Sequence, residues 1–265
     1  MADLYKPEFN LLADAYLGNK EHLTRKLEFL SKLAQPERWG FDISDPYSIL
    51  YNYINYTYDR LKQEDKIAIS GDAKSMCFNT GLQTRTYEDD IYAYFIENKD
   101  TTKTKWFFIA FCIKTDTRMQ EFNALPDIAN YFTNPDDFIF NRNLDIQLDY
   151  EHIIDDNYDR FLEAGFADKH IIRSLLENAV MTVKKKLKRN YKIAIPQFYT
   201  DKFSGMSKVQ LLLPLFLRGI TNKADLALVV DKSQFNYIGK TILTLDWAYI
   251  NSRRIVKPDV EWLVV

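Results

Sequence analysis

The amino-acid sequence predicts an α+β fold, in which a mixed, largely antiparallel sheet is packed by an amphipathic helix and preceded by a helical lead-in. Three observations support this class. Apolar residues recur at helical spacing in residues 1–64, the pattern becomes that of strands from residue 66, and a long amphipathic helix interrupts the strands at residues 168–189. The chain of 265 residues is long enough for one large core. We therefore expect a single domain over residues 1–265, with residues 65–265 as the sheet-containing core.

The composition excludes several classes of protein. Charged residues make up 27% of the chain and hydrophobic residues 46%, which is ordinary for a globular protein and gives no sign of a long disordered segment. The net charge of -2 excludes a wholly basic nucleic-acid coat but leaves room for a local basic patch. There are only 8 glycines, and neither GxGxxG nor GxxxxGKS/T occurs, which argues against a dinucleotide-binding or P-loop protein.

Two cysteines, Cys77 and Cys112, are too few for a disulfide framework or a four-ligand zinc site. They are typical of buried thiols in a reducing compartment. The start of the chain has no apolar signal region, and the longest apolar run, residues 211–217, is too short to span a bilayer. We expect a cytoplasmic protein with no membrane partner.

Two helices are expected before the strands begin. Residues 6–34 carry leucines at helical spacing on one face, and a second helix is expected over residues 47–63 after a break at Pro36. The second helix contains an unusual number of tyrosines, namely Tyr47, Tyr51, Tyr53, Tyr56 and Tyr58. A tyrosine stripe at this spacing is typical of a core or interface helix, and a nucleic-acid stacking surface is the alternative.

Residues 66–114 predict a meander of three or four antiparallel strands, because runs of β-branched and aromatic residues alternate with polar turn-formers. Residues 115–143 are rich in Asn, Asp and Pro, and we expect a turn-rich connection that caps one edge of the sheet. A short strand and an acidic segment follow. Four side chains of that segment have metal-ligand spacing if it is helical: His152, Asp155, Asp156 and Asp159. An acidic helix start is favoured by the helix dipole alone, so we assign no metal there.

The best helix of the sequence starts near Asp168, an N-cap candidate, and runs to about Arg189. Its apolar stripe predicts packing against a sheet or another helix. The stripe consists of Ile171, Ile172, Leu175, Leu176, Ala179, Val180, Val183 and Leu187. The last turns carry the cations Lys184, Lys185, Lys186, Lys188 and Arg189. These cations either complement the helix dipole on a solvated face or, with the polar residues that follow, form a phosphate-contacting surface.

Strands are expected again over the rest of the chain, in residues 192–199, 208–217, 224–232, 236–245 and 246–256. Two of these runs, VQLLLPLFL and ADLALVV, are apolar throughout, which predicts interior strands that are covered on both faces. Residues 232–236 are expected to form a hairpin loop.

No motif in the sequence names a reaction. HExxH, GxSxG and the protein-kinase signatures are absent, and there are only three histidines. Cys77 is the best candidate for a lone nucleophile, although a buried strand thiol is the simpler interpretation. Just beyond it, Asn79, Thr80 and Gly81 are expected to form a strand-end turn whose backbone amides meet an anion.

Five blocks of the sequence carry a resemblance to a known family: CFNTGL, RNYKIAIPQFY, VQLLLPLFL, ADLALVV and LTLDWAYINSRRIVKPDVEWL. Together they resemble a bacterial family of domains of unknown function, over roughly residue 25 to the end of the chain. Members of that family occur alone or joined to cold-shock-type RNA-binding modules. The resemblance implies a setting of RNA metabolism, conflict or repair, and it implies no established reaction.

The helix end and the family blocks supply the candidate site residues. For nucleic-acid or phosphate binding they are Lys184, Lys185, Lys186, Arg189, Asn190, Tyr191, Lys192, Arg254 and Lys257. For base or ribose recognition they are Asn79, Gln197 and Asn251. Asp246 and Lys192 are the candidates for catalytic groups. Asp246 would hold a ribose hydroxyl or a divalent ion such as magnesium, or act as a base. Surface ion pairs and loop hydrogen bonds are the alternative explanation for all of them.

The sequence therefore favours an RNA-associated binding domain that uses the basic helix-to-strand junction and polar strand ends. Two alternatives remain. One is an enzyme that acts on a nucleotide or an RNA end, and the other is a protein-interaction scaffold with the tyrosine-rich helix as its contact face.

Overall fold

The protein is described by a computed structural model, which covers residues 10–100, 102–132, 134–201, 206–219, 223–260 and 262–263. The chain divides into two compact units, Met1–Asn130 and Tyr131–Val265. Each unit contains one five-stranded sheet, and both sheets are mixed and largely antiparallel. The α+β class predicted from the sequence is confirmed, with the strands in two sheets rather than one. The single domain over residues 1–265 stays a prediction.

The described part of the first unit contains three α-helices and five strands, with a 3-10 helix, Thr117–Glu121, after the last strand. In chain order these are α1 Asn10–Asp14, β1 Ala15–Tyr16, α2 Lys20–Leu33, α3 Ser48–Gln63, β2 Ala68–Ile69, β3 Ser75–Gln83, β4 Asp90–Glu97 and β5 Trp106–Ile113. The strand order is β1-β5-β4-β3-β2, with β1 parallel to β5 and the other pairs antiparallel. The predicted meander is confirmed.

The prediction of one continuous helix over residues 6–34 is wrong. Residues 6–9 lie outside the described part of the chain, and β1 separates α1 from α2. Gly18 has a φ of +96°, a conformation that suits glycine and stops helix propagation. Asn19 then caps α2, because its side chain accepts a hydrogen bond from the His22 amide at 2.9 Å.

The tyrosine-rich helix is α3, within one residue of its predicted bounds. Tyr53 and Tyr58 are buried, with their rings 6.1 Å from Trp39 and 5.2 Å from Phe78. These two tyrosines are core residues. A contact face on α3, as the scaffold hypothesis requires, stays a prediction that these two buried rings do not support.

The second unit alternates strands and helices. In chain order they are β6 Asp145–Gln147, α4 Tyr150–Asp156, α5 Tyr158–Glu163, α6 Lys169–Leu187, β7 Ile195–Thr200, β8 Ser207–Leu215, β9 Leu226–Lys232, β10 Asn236–Leu243 and α7 Leu245–Arg253. The strand order is β6-β10-β9-β8-β7, parallel between β6 and β10 and antiparallel elsewhere. No helix in the described part of either unit is long and apolar enough to cross a membrane.

Strands β8 and β9 form the centre of the second sheet and are buried on both faces over most of their length, as the apolar runs predicted. Leu211, Leu213 and Leu228 pack into one core with α6. Helix α6 begins where predicted. The Asp168 side chain caps it by accepting hydrogen bonds from the backbone amides of His170 at 2.8 Å and Ile171 at 3.0 Å. One member of the predicted stripe is wrong, since Ile171 is 58% exposed.

The last predicted strand, residues 246–256, is wrong. It is the helix α7, which packs against β7, β9 and β10. Its buried face has the spacing of three to four positions that is typical of a helix, and it includes Ala248, Tyr249, Ser252 and Arg253. The apolar run is short, and a short apolar run is compatible with a strand or with a buried helix, so periodicity alone did not separate them.

A buried polar contact joins α4 and α5 to β10. The Asn157 side chain, between the two helices, donates to Ile153 O at 2.8 Å and accepts from Thr241 Oγ1 at 2.6 Å and from Ile242 N at 3.2 Å. Arg160 also donates to Asn157 Oδ1. Burial lowers the pKa of Arg160, so the hydrogen bond to Asn157 Oδ1 helps to compensate its guanidinium charge.

We predict that Asn157→Ala lowers the free energy of unfolding by about 2–4 kcal/mol, because it leaves buried donors on β10 unpaired. Urea unfolding followed by tryptophan fluorescence measures this. Asn143→Ala, at an exposed position of the same unit, is the control and should change stability by less than about 0.5 kcal/mol. Equal losses in the two variants would contradict the role assigned to Asn157.

Candidate nucleic-acid interface

A cleft of about 510 Å³ opens in the second unit where α6 ends. Its volume lies within the usual range of small-ligand sites. Three segments form its walls: residues 136–143, the end of α6 with the turn after it, and the end of β9. The lining residues are Asp136, Ile139, Phe140, Asn141, Arg142, Asn143, Leu187, Lys188, Arg189, Tyr191 and Lys232.

The helix-end wall is fixed by hydrogen bonds to the backbone. Arg189 Nη1 donates to the Lys185 carbonyl oxygen at 2.7 Å, across the last turn of α6. Asn190 Oδ1 accepts from the Lys192 amide at 3.1 Å and so caps the single turn Tyr191–Ile193. This turn leaves the Tyr191 ring 52% exposed at the edge of the cleft.

The opposite wall is held by an aromatic pair. Phe140 stacks on the buried Tyr237 with ring centroids 4.5 Å apart and an angle of 13° between the planes. The Tyr237 hydroxyl accepts from the Asn141 amide at 2.8 Å, and Asn143 N donates to Asn141 Oδ1 at 3.0 Å. These bonds set the turn that presents Arg142. Within the described chain, no carboxylate pairs with Arg142.

Lys232 completes the cleft from the end of β9. Its Nζ donates to the Asp136 carbonyl oxygen at 3.0 Å and lies 3.6 Å from Asp137 Oδ1, so its charge is partly offset. The lining contains four basic side chains and one acidic side chain. The C-terminus of α6 adds only about half a negative charge. The cleft therefore keeps a positive potential, which favours phosphate.

The structure divides the predicted cations of the helix end. Lys188 and Arg189 line the cleft, together with the predicted Tyr191. Lys184 forms an ion pair with Asp145 at 2.7 Å, and Lys186 lies 4.1 Å above the Phe216 ring. The remaining predicted residues of this segment, Lys185, Asn190 and Lys192, are exposed beside the cleft rather than among its lining residues.

A second group of the predicted residues belongs to a hydrogen-bonded polar ladder, which consists of Arg254, Asn251, Gln197, Gln210, Asp231 and Lys208. Arg254 Nη2 donates to Asn251 Oδ1 at 2.6 Å, and Asn251 Nδ2 donates to Gln197 Oε1 at 3.3 Å. Gln197 Nε2 donates to Gln210 Oε1 at 2.9 Å. Gln197 is buried within β7, so both ends of its amide are engaged inside the protein. Base or ribose contact by Gln197 stays a prediction that would require this ladder to open.

The ladder ends on the buried carboxylate of Asp231. Gln210 Nε2 donates to it at 2.7 Å and Lys208 Nζ at 2.6 Å, with Lys240 Nζ 3.9 Å away. Gln210 precedes Leu211, which faces the α6 core, so side-chain alternation places the ladder on the other face of the sheet. Asp231 and Lys232 are likewise adjacent on β9 and serve the ladder and the cleft respectively.

The other predicted site residues lie apart from the cleft lining. Asp246 is exposed in the first turn of α7, and Lys257 is exposed after that helix. A catalytic pair of Asp246 and Lys192 stays a prediction. In the described part of the chain, no group of three or more His, Cys, Asp or Glu side chains is arranged to hold a metal ion.

Asn79 lies in the first unit, and base or ribose recognition by this residue stays a prediction. It is buried inside β3, where its Nδ2 donates to Asp90 Oδ2 at 3.1 Å and its Oδ1 accepts from the Gly81 amide at 2.9 Å. Thr80 Oγ1 accepts a hydrogen bond from the Leu82 amide at 3.2 Å. The Gly81 amide, one of those expected to meet an anion, is therefore bonded within the strand, as is the Leu82 amide.

Cys77 is unsuited to nucleophilic chemistry. It is fully buried in β3, and burial raises the pKa of its thiol to about 12. Burial likewise raises the pKa of Cys112 to about 11. Both side chains are protonated near neutral pH, and only the thiolate is strongly nucleophilic.

Fold and cleft together define a class: a two-unit α+β protein whose second unit carries a cationic cleft at a helix-to-strand junction. The chain belongs to the family described as a domain of unknown function, DUF3825, which matches residues 30–262. Comparison with curated proteins and with solved structures gave no significant match.

Sequence reasoning missed Arg142, Asn143 and Lys232 as residues of the cleft. The first two lie in the turn-rich connection and Lys232 ends a strand at the predicted hairpin loop. The only signal was a lone cation in the exposed sequence NRN. Such a residue becomes significant only when the chain brings it opposite the end of α6.

We predict that Gln210→Leu lowers the free energy of unfolding by about 2–4 kcal/mol, because it removes a donor from the buried Asp231 carboxylate. Urea unfolding measures the loss. Lys240→Met is the control, since its longer, more exposed contact with Asp231 should contribute less than about 1 kcal/mol. If both variants lose the same stability, the ladder is not a buried network.

We also predict that neither Cys77 nor Cys112 reacts with a thiol reagent in the native protein at about pH 8, because their raised pKa values and burial keep the thiolate population low. Both should react after unfolding in guanidinium. Stoichiometric labelling before and after unfolding checks this, and rapid native labelling of either thiol would contradict it.

Proposed function

We propose that this protein is a cytoplasmic RNA-binding domain, and that the cleft at the end of α6 holds the phosphate backbone. The observation that carries the proposal is the set of cations Arg142, Lys188, Arg189 and Lys232, brought from three segments around one cavity. Ion pairing in the protein explains Lys184 and partly Lys232. It leaves Arg142 and Arg189 presented to the cleft, and arginine matches phosphate geometry with two parallel hydrogen bonds.

RNA is favoured over other phosphate ligands for two reasons. The cleft combines its cations with the exposed Tyr191 ring and the side-chain amides of Asn141 and Asn143, groups that suit base and ribose edges. The resemblance to a bacterial family whose members occur alone or joined to cold-shock-type RNA-binding modules supports the same ligand. A free nucleotide is the second candidate, favoured by the small volume of the cleft.

The test is a salt titration of RNA binding with charge-reversal variants. We predict that Arg142→Glu and Arg189→Glu each weaken binding about tenfold or more, because each loses a charged hydrogen bond to phosphate. Each should also reduce the slope of log affinity against log salt by about one. Fluorescence anisotropy with a labelled mixed-sequence RNA provides both numbers.

Lys185→Glu is the matched control. Lys185 carries the same type of charge at the same helix end but is not among the lining residues of the cleft. It should weaken binding much less. An equal loss in all three variants would indicate a diffuse basic surface, and no measurable binding at low salt would reject the proposal. If free nucleoside monophosphates bind the cleft and longer RNA does not displace them, the second candidate, a free nucleotide, is favoured.

A further inference from the structure

We infer that the ligand of this cleft is single-stranded RNA, with successive bases stacked on Tyr191 and Phe235. This inference rests on the proposed function and names the form of the nucleic acid. Phe235 is 78% exposed at the tip of the hairpin that joins β9 to β10, so it contributes little to the core. A large exposed ring on a well-formed turn beside a cationic cleft matches the stacking platforms of single-strand binders.

The hairpin tip is held in place by Ser233. Its Oγ accepts hydrogen bonds from the amides of Phe235 at 3.4 Å and Asn236 at 3.2 Å, and it donates to the Asn236 carbonyl oxygen at 2.8 Å. The Asn236 side chain donates to Gln147 Oε1 at 2.6 Å, which joins the tip to β6. The phenyl ring is thus presented on an ordered backbone, which lowers the entropy lost when a base stacks on it.

The position of the hairpin relates Phe235 to the cleft. Lys232, a cleft residue, is the register partner of Tyr237, and Tyr237 stacks on the cleft residue Phe140. Phe235 lies in the turn that joins β9 to β10, three positions after Lys232 and one before the start of β10. The exposed ring is therefore at the same end of the sheet as Lys232.

The size of the cleft excludes the interior of a duplex. A volume of about 510 Å³ suits a nucleotide that is splayed out of a strand, not a base-paired helix. In double-stranded RNA the bases are already stacked and their edges lie in a groove that is hard to read, so exposed aromatic rings gain nothing from it. Arg142 and Arg189 would contact the backbone between the two stacked bases.

The experiment compares three labelled probes with the full chain: a single-stranded RNA of about 12 nucleotides, the same strand annealed to its complement, and an abasic strand of equal length. We expect the single strand to bind at least about tenfold more tightly than either of the others. Phe235→Ala and Tyr191→Ala should each weaken single-strand binding by about five- to 150-fold, the range measured for loss of one stacked base.

Three controls make the result specific. Phe235→Trp should retain binding, because it keeps a stacking face. Ile171→Ala removes an exposed apolar side chain from the other end of α6, about 24 Å along the helix from Leu187, and should leave affinity unchanged. Duplex and abasic binding should be the same in the alanine variants as in the original chain. A thermal melt confirms that each variant is folded.

Failure of this inference differs from failure of the proposed function. Equal affinity for the duplex or the abasic strand, or unchanged affinity in Phe235→Ala and Tyr191→Ala, would overturn the single-strand inference and leave phosphate binding in place. Absence of binding to all three probes at low salt would overturn both.

Discussion

Burial of the β8 and β9 pair constrains the whole second unit. These strands are apolar on both faces, so each face needs a cover, and burying one leucine side chain contributes about 1.5–3 kcal/mol. Helix α6 covers one face. Helix α7, which follows β10 in the chain, packs against β7, β9 and β10. Within β8 and β9, the polar and charged side chains are therefore confined to the strand ends or to the hydrogen-bonded ladder. Both the cleft and the polar ladder follow from this confinement.

The ladder contains a buried charge that is compensated by hydrogen bonds, whereas the cleft presents exposed charges that no carboxylate compensates among the residues described. Asp231 is 9% exposed, and its two carboxylate oxygens accept hydrogen bonds from Gln210 and Lys208, so neither oxygen is left without a partner by burial. Arg142 and Arg189 are exposed, and no side-chain carboxylate pairs with them among the residues described. Compensated buried charge contributes to specificity of folding, whereas exposed and uncompensated charge of one sign is a means of attracting a ligand.

Sequence predictions were correct where the physical cause acts between neighbouring residues of the chain. The start of α6 was predicted correctly because the Asp168 cap acts over three residues, and β8 and β9 because burial on both faces leaves a continuous apolar run. Helix α7 was mistaken for a strand because its apolar run is short. Of the residues predicted at the basic end of α6 and just after it, Lys188, Arg189 and Tyr191 line the cleft, and the other predicted site residues are not among its lining residues.

The sequence by itself determined the α+β class, the family, the long amphipathic helix with its basic end, and the buried central strands, because each of these is encoded by neighbouring residues. Only the tertiary structure decided that Arg142 and Lys232 join Arg189 around one cavity, and that Gln197 and Asn251 belong to a ladder with Asp231. The physical reason is distance along the chain. Residues that lie tens of positions apart in the sequence meet only through strand register and helix packing, which no local pattern records.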